Sequence, residues 1–251
     1  MAEQPVHLEP NRRRLRAVVD GVAIADTIQS IYLFETGHLP VYYLPKEDIR
    51  FDLLEKTDRS THCPLKGDAE YWSIVVGQRR IENAVWSYPS PIDGAPDLSA
   101  YAAFYWNKVD NWFEEDEEVF VHARDPYKRV DALRSSRHVE VRINGETIAD
   151  TTRPVLLFET GLPTRYYIPK SDVRLDLLRA STLTTACPYK GTANYFSVAI
   201  PGGEVVENIV WVYVTPVPQV PTIENHLCFF NERVEILVDG ELQVRPITSW
   251  S

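Results

Sequence analysis

The chain contains itself twice. Gly21-Val-Ala-Ile-Ala-Asp-Thr27 recurs as Gly145-Glu-Thr-Ile-Ala-Asp-Thr151, Leu33-Phe-Glu-Thr-Gly37 as Leu157-Phe-Glu-Thr-Gly161, Tyr42-Tyr-Leu-Pro-Lys46 as Tyr166-Tyr-Ile-Pro-Lys170, and Cys63-Pro-Leu-Lys-Gly67 as Cys187-Pro-Tyr-Lys-Gly191. One offset of 124 residues serves all four, and 27 of 61 positions agree without a gap between residues 16–76 and 140–200. A one-residue insertion then moves the offset to 125 and places Glu82-Asn83 on Glu207-Asn208, Trp86 on Trp211 and Phe104 on Phe229. A repeat this long is a duplicated domain rather than a solenoid unit. The 251 residues therefore divide into two domains, 1–125 and 126–251, and not into one large one. The repeated parts run from about residue 15 to 121 and from about 138 to the end, with 125–137 as a polar, Pro-containing connection. A fused duplication of this kind leads us to expect an intramolecular pseudo-dimer.

Each copy reads as all-β with short helical turns. Asp20-Gly21 and Asn144-Gly145 sit between alternating apolar positions, the strongest short hairpin signal, because both dipeptides accept positive φ. Val139, Val141 and Ile143 alternate with Glu140 and Arg142. Residues 30–34, 42–44, 71–76, 84–88 and 102–105 are further short strands, and Pro45–Leu54 reads as a short helix or turn. Long amphipathic helices are missing from the pattern.

Charge narrows the partners. The net charge is −10, and residues 1–125 hold 13 basic and 22 acidic side chains, a net −9. Nucleic-acid binders carry a basic footprint, so no nucleic acid is expected as partner. The Arg12-Arg13-Arg14 run with Arg16 reads as a solvated arm, and Glu114–Glu118 as a solvated edge or turn. No apolar run approaches the roughly 18 residues of a membrane span, and Met1–Pro5 does not open a signal peptide. Cysteines 63, 187 and 228 form no C-x-x-C pair. Together these features suggest a soluble, cytoplasmic protein without membrane partner.

Chemistry is sparser. Only 11 glycines are present, and neither G-x-G-x-x-G nor G-x-x-x-x-G-K-[ST] occurs, so phosphate loops are excluded. The six histidines have no metal-ligand spacing, and we expect no metal and no cofactor. The densest polar cluster is Thr61–Gly67. Cys63 beside His62 and Lys66 suggests a nucleophile, but neighbours on a strand point to opposite faces and Ala186 stands where His62 would recur, which favours a structural cysteine. Lys66 and Lys190 suit either an anion or a salt bridge. Polar residues kept in both copies are harder to assign to packing than aromatics. They define a candidate ligand pocket of Glu35, Tyr42, Lys66, Tyr71, Glu82, Asn83, Trp86 and Tyr88, in which Asn offers both donor and acceptor and Trp stacks. The competing assignment for Asn83 is a turn residue with Trp86 in the core.

Phe34-Glu-Thr-Gly37, Tyr42-Tyr43, His62-Cys-Pro-Leu-Lys-Gly67, Tyr71-Trp-Ser73, Glu82-Asn-Ala-Val-Trp-Ser-Tyr-Pro89 and Ala103-Phe-Tyr105 follow in order, and most recur in the second copy. In these motifs the chain resembles the domain-of-unknown-function family numbered 427, which sometimes occurs in tandem. The resemblance implies a β-tent, a small fold of two antiparallel sheets. Many β-tent relatives hold zinc through paired C-x-x-C knuckles, which this chain lacks. The family has also borne a nucleotidyltransferase-like label, for which the sequence offers neither a Gly-Ser dipeptide nor an Asp-x-Asp pair. The second copy departs at Ala186, Val212 and Val214, in place of His62, Ser87 and Pro89, so the first copy is the better candidate for a site. The leading expectation is a small-molecule or partner binding module. The alternatives are a cysteine-dependent enzyme using Cys63, and a purely structural or protein-interaction module.

Overall fold

A computed structural model describes residues 5–251; the expectation about Met1–Gln4 lies outside them. The chain forms two compact units divided between Asp125 and Pro126. In the first unit the strands are β1 (Val6–Pro10), β2 (Leu15–Val19), β3 (Val22–Thr27), β4 (Ile31–Glu35), β5 (Val41–Pro45), β6 (Leu54–Cys63), β7 (Gly67–Val76), β8 (Arg79–Ser87), β9 (Tyr101–Phe104), β10 (Asn111–Glu114) and β11 (Glu117–Val119). The second unit has β12 (Val130–Arg134), β13 (Val139–Ile143), β14 (Glu146–Thr151), β15 (Val155–Glu159), β16 (Arg165–Pro169), β17 (Leu178–Cys187), β18 (Gly191–Ala199), β19 (Val205–Pro216), β20 (His226–Phe229), β21 (Glu235–Val238) and β22 (Glu241–Leu242).

Both units use one plan. A seven-stranded antiparallel sheet runs β1-β4-β5-β9-β8-β7-β6 in the first and β12-β15-β16-β20-β19-β18-β17 in the second. A four-stranded sheet runs β11-β10-β2-β3 and β14-β13-β21-β22. The two dipeptide hairpins are type I′ in sign, with Asp20 at φ 49° and Gly21 at 73°, and Asn144 at 52° and Gly145 at 82°. Pro45–Leu54 is two 3-10 turns, Lys46–Asp48 and Phe51–Leu53, as the sequence suggests. The linker is a correction. It contains β12, which pairs with β15 as β1 pairs with β4, so each repeat begins about one strand earlier than identity alone reveals. β6 and β17, exposed Thr- and Ser-rich edge strands, are also missing from the sequence reading.

Alternation sends successive side chains of the large sheet to opposite faces, and both faces are buried. On one face Tyr42, Leu44, Ile74, Val85 and Phe104 pack on Leu15, Ala17, Val19 and Ile24 of the small sheet. On the other, Tyr43, Tyr71 and Ala103 pack with Val6, Tyr88 and Leu98. This double burial explains why Tyr42-Tyr43-Leu44 reads as a continuous apolar run rather than an alternating one.

Candidate functional site

The eight candidate pocket residues do not form one cluster. Glu35, Lys66, Tyr71, Trp86 and Tyr88 share the face away from the small sheet, with Cys63. Lys66, almost completely buried, forms an ion pair with Glu35, and its ammonium lies 5.8 Å from the Tyr88 ring centre. Tyr71 and Thr61 share a hydroxyl hydrogen bond at 2.8 Å, and the Trp86 indole N–H donates to the Tyr43 hydroxyl at 3.1 Å. The second unit repeats three of these contacts: Lys190 with Glu159, Thr185 with Tyr195 at 2.9 Å, and Trp211 with Tyr167 at 3.2 Å. Burial holds the Tyr43 and Tyr88 hydroxyls well above the ordinary tyrosine range, with Cys63 adding to the shift at Tyr88. Of the two assignments for Lys66, the salt bridge is the one the geometry displays.

Glu82 and Asn83 sit elsewhere. Glu82 accepts from Arg80 at 2.6 Å and Ser73 at 2.9 Å, and these bonds hold its carboxyl below the usual range. Asn83 adopts φ 50°, its backbone N–H donates to Ser73 Oγ at 3.1 Å, and its amide oxygen accepts from Thr57 at 2.7 Å. Asn208 repeats the conformation at φ 51°, with its N–H on Ser197 Oγ. These contacts match the turn-type assignment, which places a residue tolerant of positive φ at an irregularity in the β7–β8 ladder.

Cys63, at the end of β6, is half-buried. His62 is exposed and bonded through Nδ1 to Asp68 at 2.7 Å, while Lys66 is engaged by Glu35. Alternation along β6 sends His62 and Cys63 to opposite faces, and the Lys66 charge is balanced by Glu35. Among the described residues no group of three His, Cys, Asp or Glu side chains is placed to hold a metal ion, and no helix is long and apolar enough to cross a membrane.

Two charged segments behave differently from the expectation. Glu114 is not solvated: only 3% exposed, it accepts from the Tyr42 hydroxyl at 2.5 Å and from Arg13 at 2.6 Å. β10 alternation turns Glu114 inward, while Glu115 and Asp116 form the exposed hairpin turn. The arginine run is likewise not a free arm. Arg14 pairs with Asp26, and Arg16 with Asp116, so the run is latched to the small sheet it precedes.

Tyr42 and Trp86 meet residues that differ between the two copies. β5 pairs with β9 only through Leu44↔Ala102 and Pro45↔Tyr101, while Ala103 and Phe104 pair with β8. The two strands splay, and a cleft of about 160 Å³ opens where Val41 and Tyr42 part from Phe104 and Tyr105. Trp86, Trp106 and Trp112 also wall it, with His122 and Ala123 at its margin. Trp106 and Trp112 stack at 5.1 Å and 16°, and Trp86 and Tyr105 lie 4.7 Å apart. The signal was in the sequence, but as a difference between the copies: Asn231 stands at the position of Trp106, and Ile236, which pairs with Val141 as Trp112 pairs with Ala17, at that of Trp112.

The motifs, the doubled sheet plan and the doubled Lys–Glu brace agree with the family comparison. The model for the family described as Domain of unknown function (DUF427) matches twice, over residues 7–115 and 131–240. The chain belongs to this family. The two matches begin inside β1 and β12, in agreement with repeats that include those strands. The DUF427 model keeps a nucleotidyltransferase label in its short name. No curated protein matches the chain.

Proposed function

We propose that this tandem DUF427 protein is a binding module whose first repeat takes a small flat group into the aromatic cleft between β5 and β9. One observation carries the reading. The splayed strands leave about 160 Å³ walled by the rings of Tyr42, Trp86, Tyr105, Trp106 and Trp112. An apolar cavity of roughly 150 Å³ holds one benzene, so this space suits a single ring or a group of that size. A nucleoside triphosphate would need far more room and a charged cradle for its phosphates. Aromatic walls with few polar groups are the usual make-up of a small-molecule site. In this reading Lys66–Glu35 and Trp86–Tyr43 brace the wall from behind, and Glu114 anchors Tyr42 from below.

A fragment screen on the full chain, followed by tryptophan fluorescence or indole N–H resonances, tests the reading. Ring-sized fragments shift the wild type, and Trp86→Ala and Trp106→Ala each weaken that response while both repeats stay folded. A panel that shifts no indole signal, or shifts that survive both substitutions, overturns it.

A further inference from the structure

The second repeat carries the same split; its own side chains cover the part beside Trp211, while about 160 Å³ stays open on the other side, against Pro163, Thr164, Tyr166, Asn231 and Ile236. β16 and β20 part beyond Tyr167↔Cys228, and Arg165 lies there, only 8% exposed. Its guanidinium makes two 2.7 Å bonds to the carboxylate oxygens of Glu232 and another to Asn231 Oδ1. It also lies 5.5 Å from the ring centres of both Trp211 and Trp250. Trp211 is the counterpart of Trp86, and its spacing to Phe230, 4.7 Å, repeats that of Trp86 to Tyr105. Arg165 corresponds to Val41 and Glu232 to Asn107. At this one tryptophan face the second repeat therefore shows in covered form what the first repeat leaves open, and the cover is a planar cation lying against the ring.

Resting on the cleft reading above, we infer that the first repeat's cleft takes a planar organic cation of the guanidinium or amidinium class, supplied from outside where the second repeat supplies Arg165. Three features of the first repeat fit this chemistry. Val41 is too short to reach the ring that Arg165 covers in the sister repeat, so the Trp86 wall borders open space. Ring faces attract cations, and guanidinium, being weakly hydrated, loses least on leaving water. The first half of the chain carries a net −9, which draws cations towards it. Glu114 does not supply the attraction: the Tyr42 hydroxyl and Arg13 already occupy its carboxylate, and Arg124 lies 3.9 Å away.

Benzamidine and its uncharged near-isostere benzamide provide the test, titrated into the full chain with indole resonances as the readout. Benzamidine is expected to bind roughly two- to fivefold more tightly than benzamide. Val41→Arg with Asn107→Glu, which transplants the sister repeat's pair, is expected to abolish binding of both. Trp86→Ala, which removes the stacking face without adding charge, gives the same comparison should the double variant fold poorly. Agmatine and an acetyl-Gly-Arg-Gly-amide peptide then separate a free guanidine from an arginine on a partner chain, and tighter binding of either than of its uncharged citrulline-type counterpart supports the inference. Benzamide binding as well as or better than benzamidine, and still lost in the variants, overturns the cation class while leaving the cleft reading intact. No binding of either probe, or binding that survives the variants, removes the cleft reading and this inference with it.

Discussion

The Tyr42 hydroxyl donates to the buried Glu114 carboxylate at 2.5 Å, tying the large sheet to the small one across the first core. The same hydroxyl accepts from the Arg124 backbone N–H at 3.2 Å, next to Ala123 at the cleft margin. Tyr42→Phe therefore removes a donor from a buried carboxylate and loosens the segment beside the cleft. The expected loss is about 1–3 kcal/mol of unfolding free energy. Glu114→Ala costs more, about 3–5 kcal/mol, because it leaves buried donors facing no acceptor. Urea denaturation of the two single variants and the double variant checks the pair: its members share one bond, so the losses add to less than their sum.

Lys66 and Glu35 form a second buried connection, repeated by Lys190 and Glu159. Lys66→Met leaves Glu35 without its cation, at an expected cost of about 3 kcal/mol. The double change Lys66→Met with Glu35→Leu recovers much of that loss, since an apolar pair of similar volume does not suffer the desolvation of the ion pair. Chemical denaturation distinguishes this from an anion-binding lysine, for which Lys66→Met would cost little stability and the second substitution would recover none.

The large features were legible because duplication exposes them. Asp20-Gly21 and Asn144-Gly145 announce hairpins, and the paired motifs mark two units of equal plan. Glu114 was not legible: five successive acids read as solvent-facing, and its partner Tyr42 is 72 residues away. The cleft was hidden for another reason. Comparing the copies for kept residues selects the common scaffold, so it found Lys66, Tyr71 and Asn83, which brace sheets and turns in both. The split itself comes from strand pairing that stops short between β5 and β9, and its open, aromatic lining from what the copies do not share, Val41 against Arg165 and Trp106 against Asn231.

Acid should destabilise the second repeat through two carboxylates. Burial works against the Glu232 charge, but hydrogen bonds from Arg165 and Thr248 outweigh it and hold the group below its ordinary 4.5. Bonds from Arg153, Thr151 and Ser171 hold Asp172 well below 3.8. Both pKa values are depressed on folding, so their stabilisation is complete above the ordinary carboxylate values and is lost as pH falls below them. Between about pH 5 and pH 2 the unfolding free energy should decline, and Glu232→Gln with Asp172→Asn should flatten that decline. Denaturant melts at several pH values check the slope; an unchanged slope in the double variant assigns the acid sensitivity to other groups.

Thiol chemistry separates the three cysteines. Cys228 is fully buried, and burial pushes its thiol up to about 12, so at pH 8 almost none of it is the reactive thiolate. Cys63 and Cys187 are partly exposed. A chromogenic disulfide reagent should therefore titrate two thiols in the native protein and the third only on unfolding. Three fast thiols would mean that β20 opens readily, against its place between β16 and β19 in the large sheet.

Asn83 provides the sharpest separation of scaffold from site. Its φ of 50° lies in the left-handed region, which glycine enters freely and which strains residues with a Cβ, Asn and Asp least of them. Asn83→Gly keeps the conformation and loses only the bond to Thr57, so its stability should fall by less than that of Asn83→Ala. The alanine variant should lose about 1–2 kcal/mol, and Asn208→Ala should also lose stability, through the same φ but with no counterpart of the Thr57 bond to lose. Losses at both sites, with fragment binding to the first repeat unchanged in Asn83→Gly, assign this asparagine to the fold. A binding defect in Asn83→Gly without loss of stability would instead return it to the ligand site.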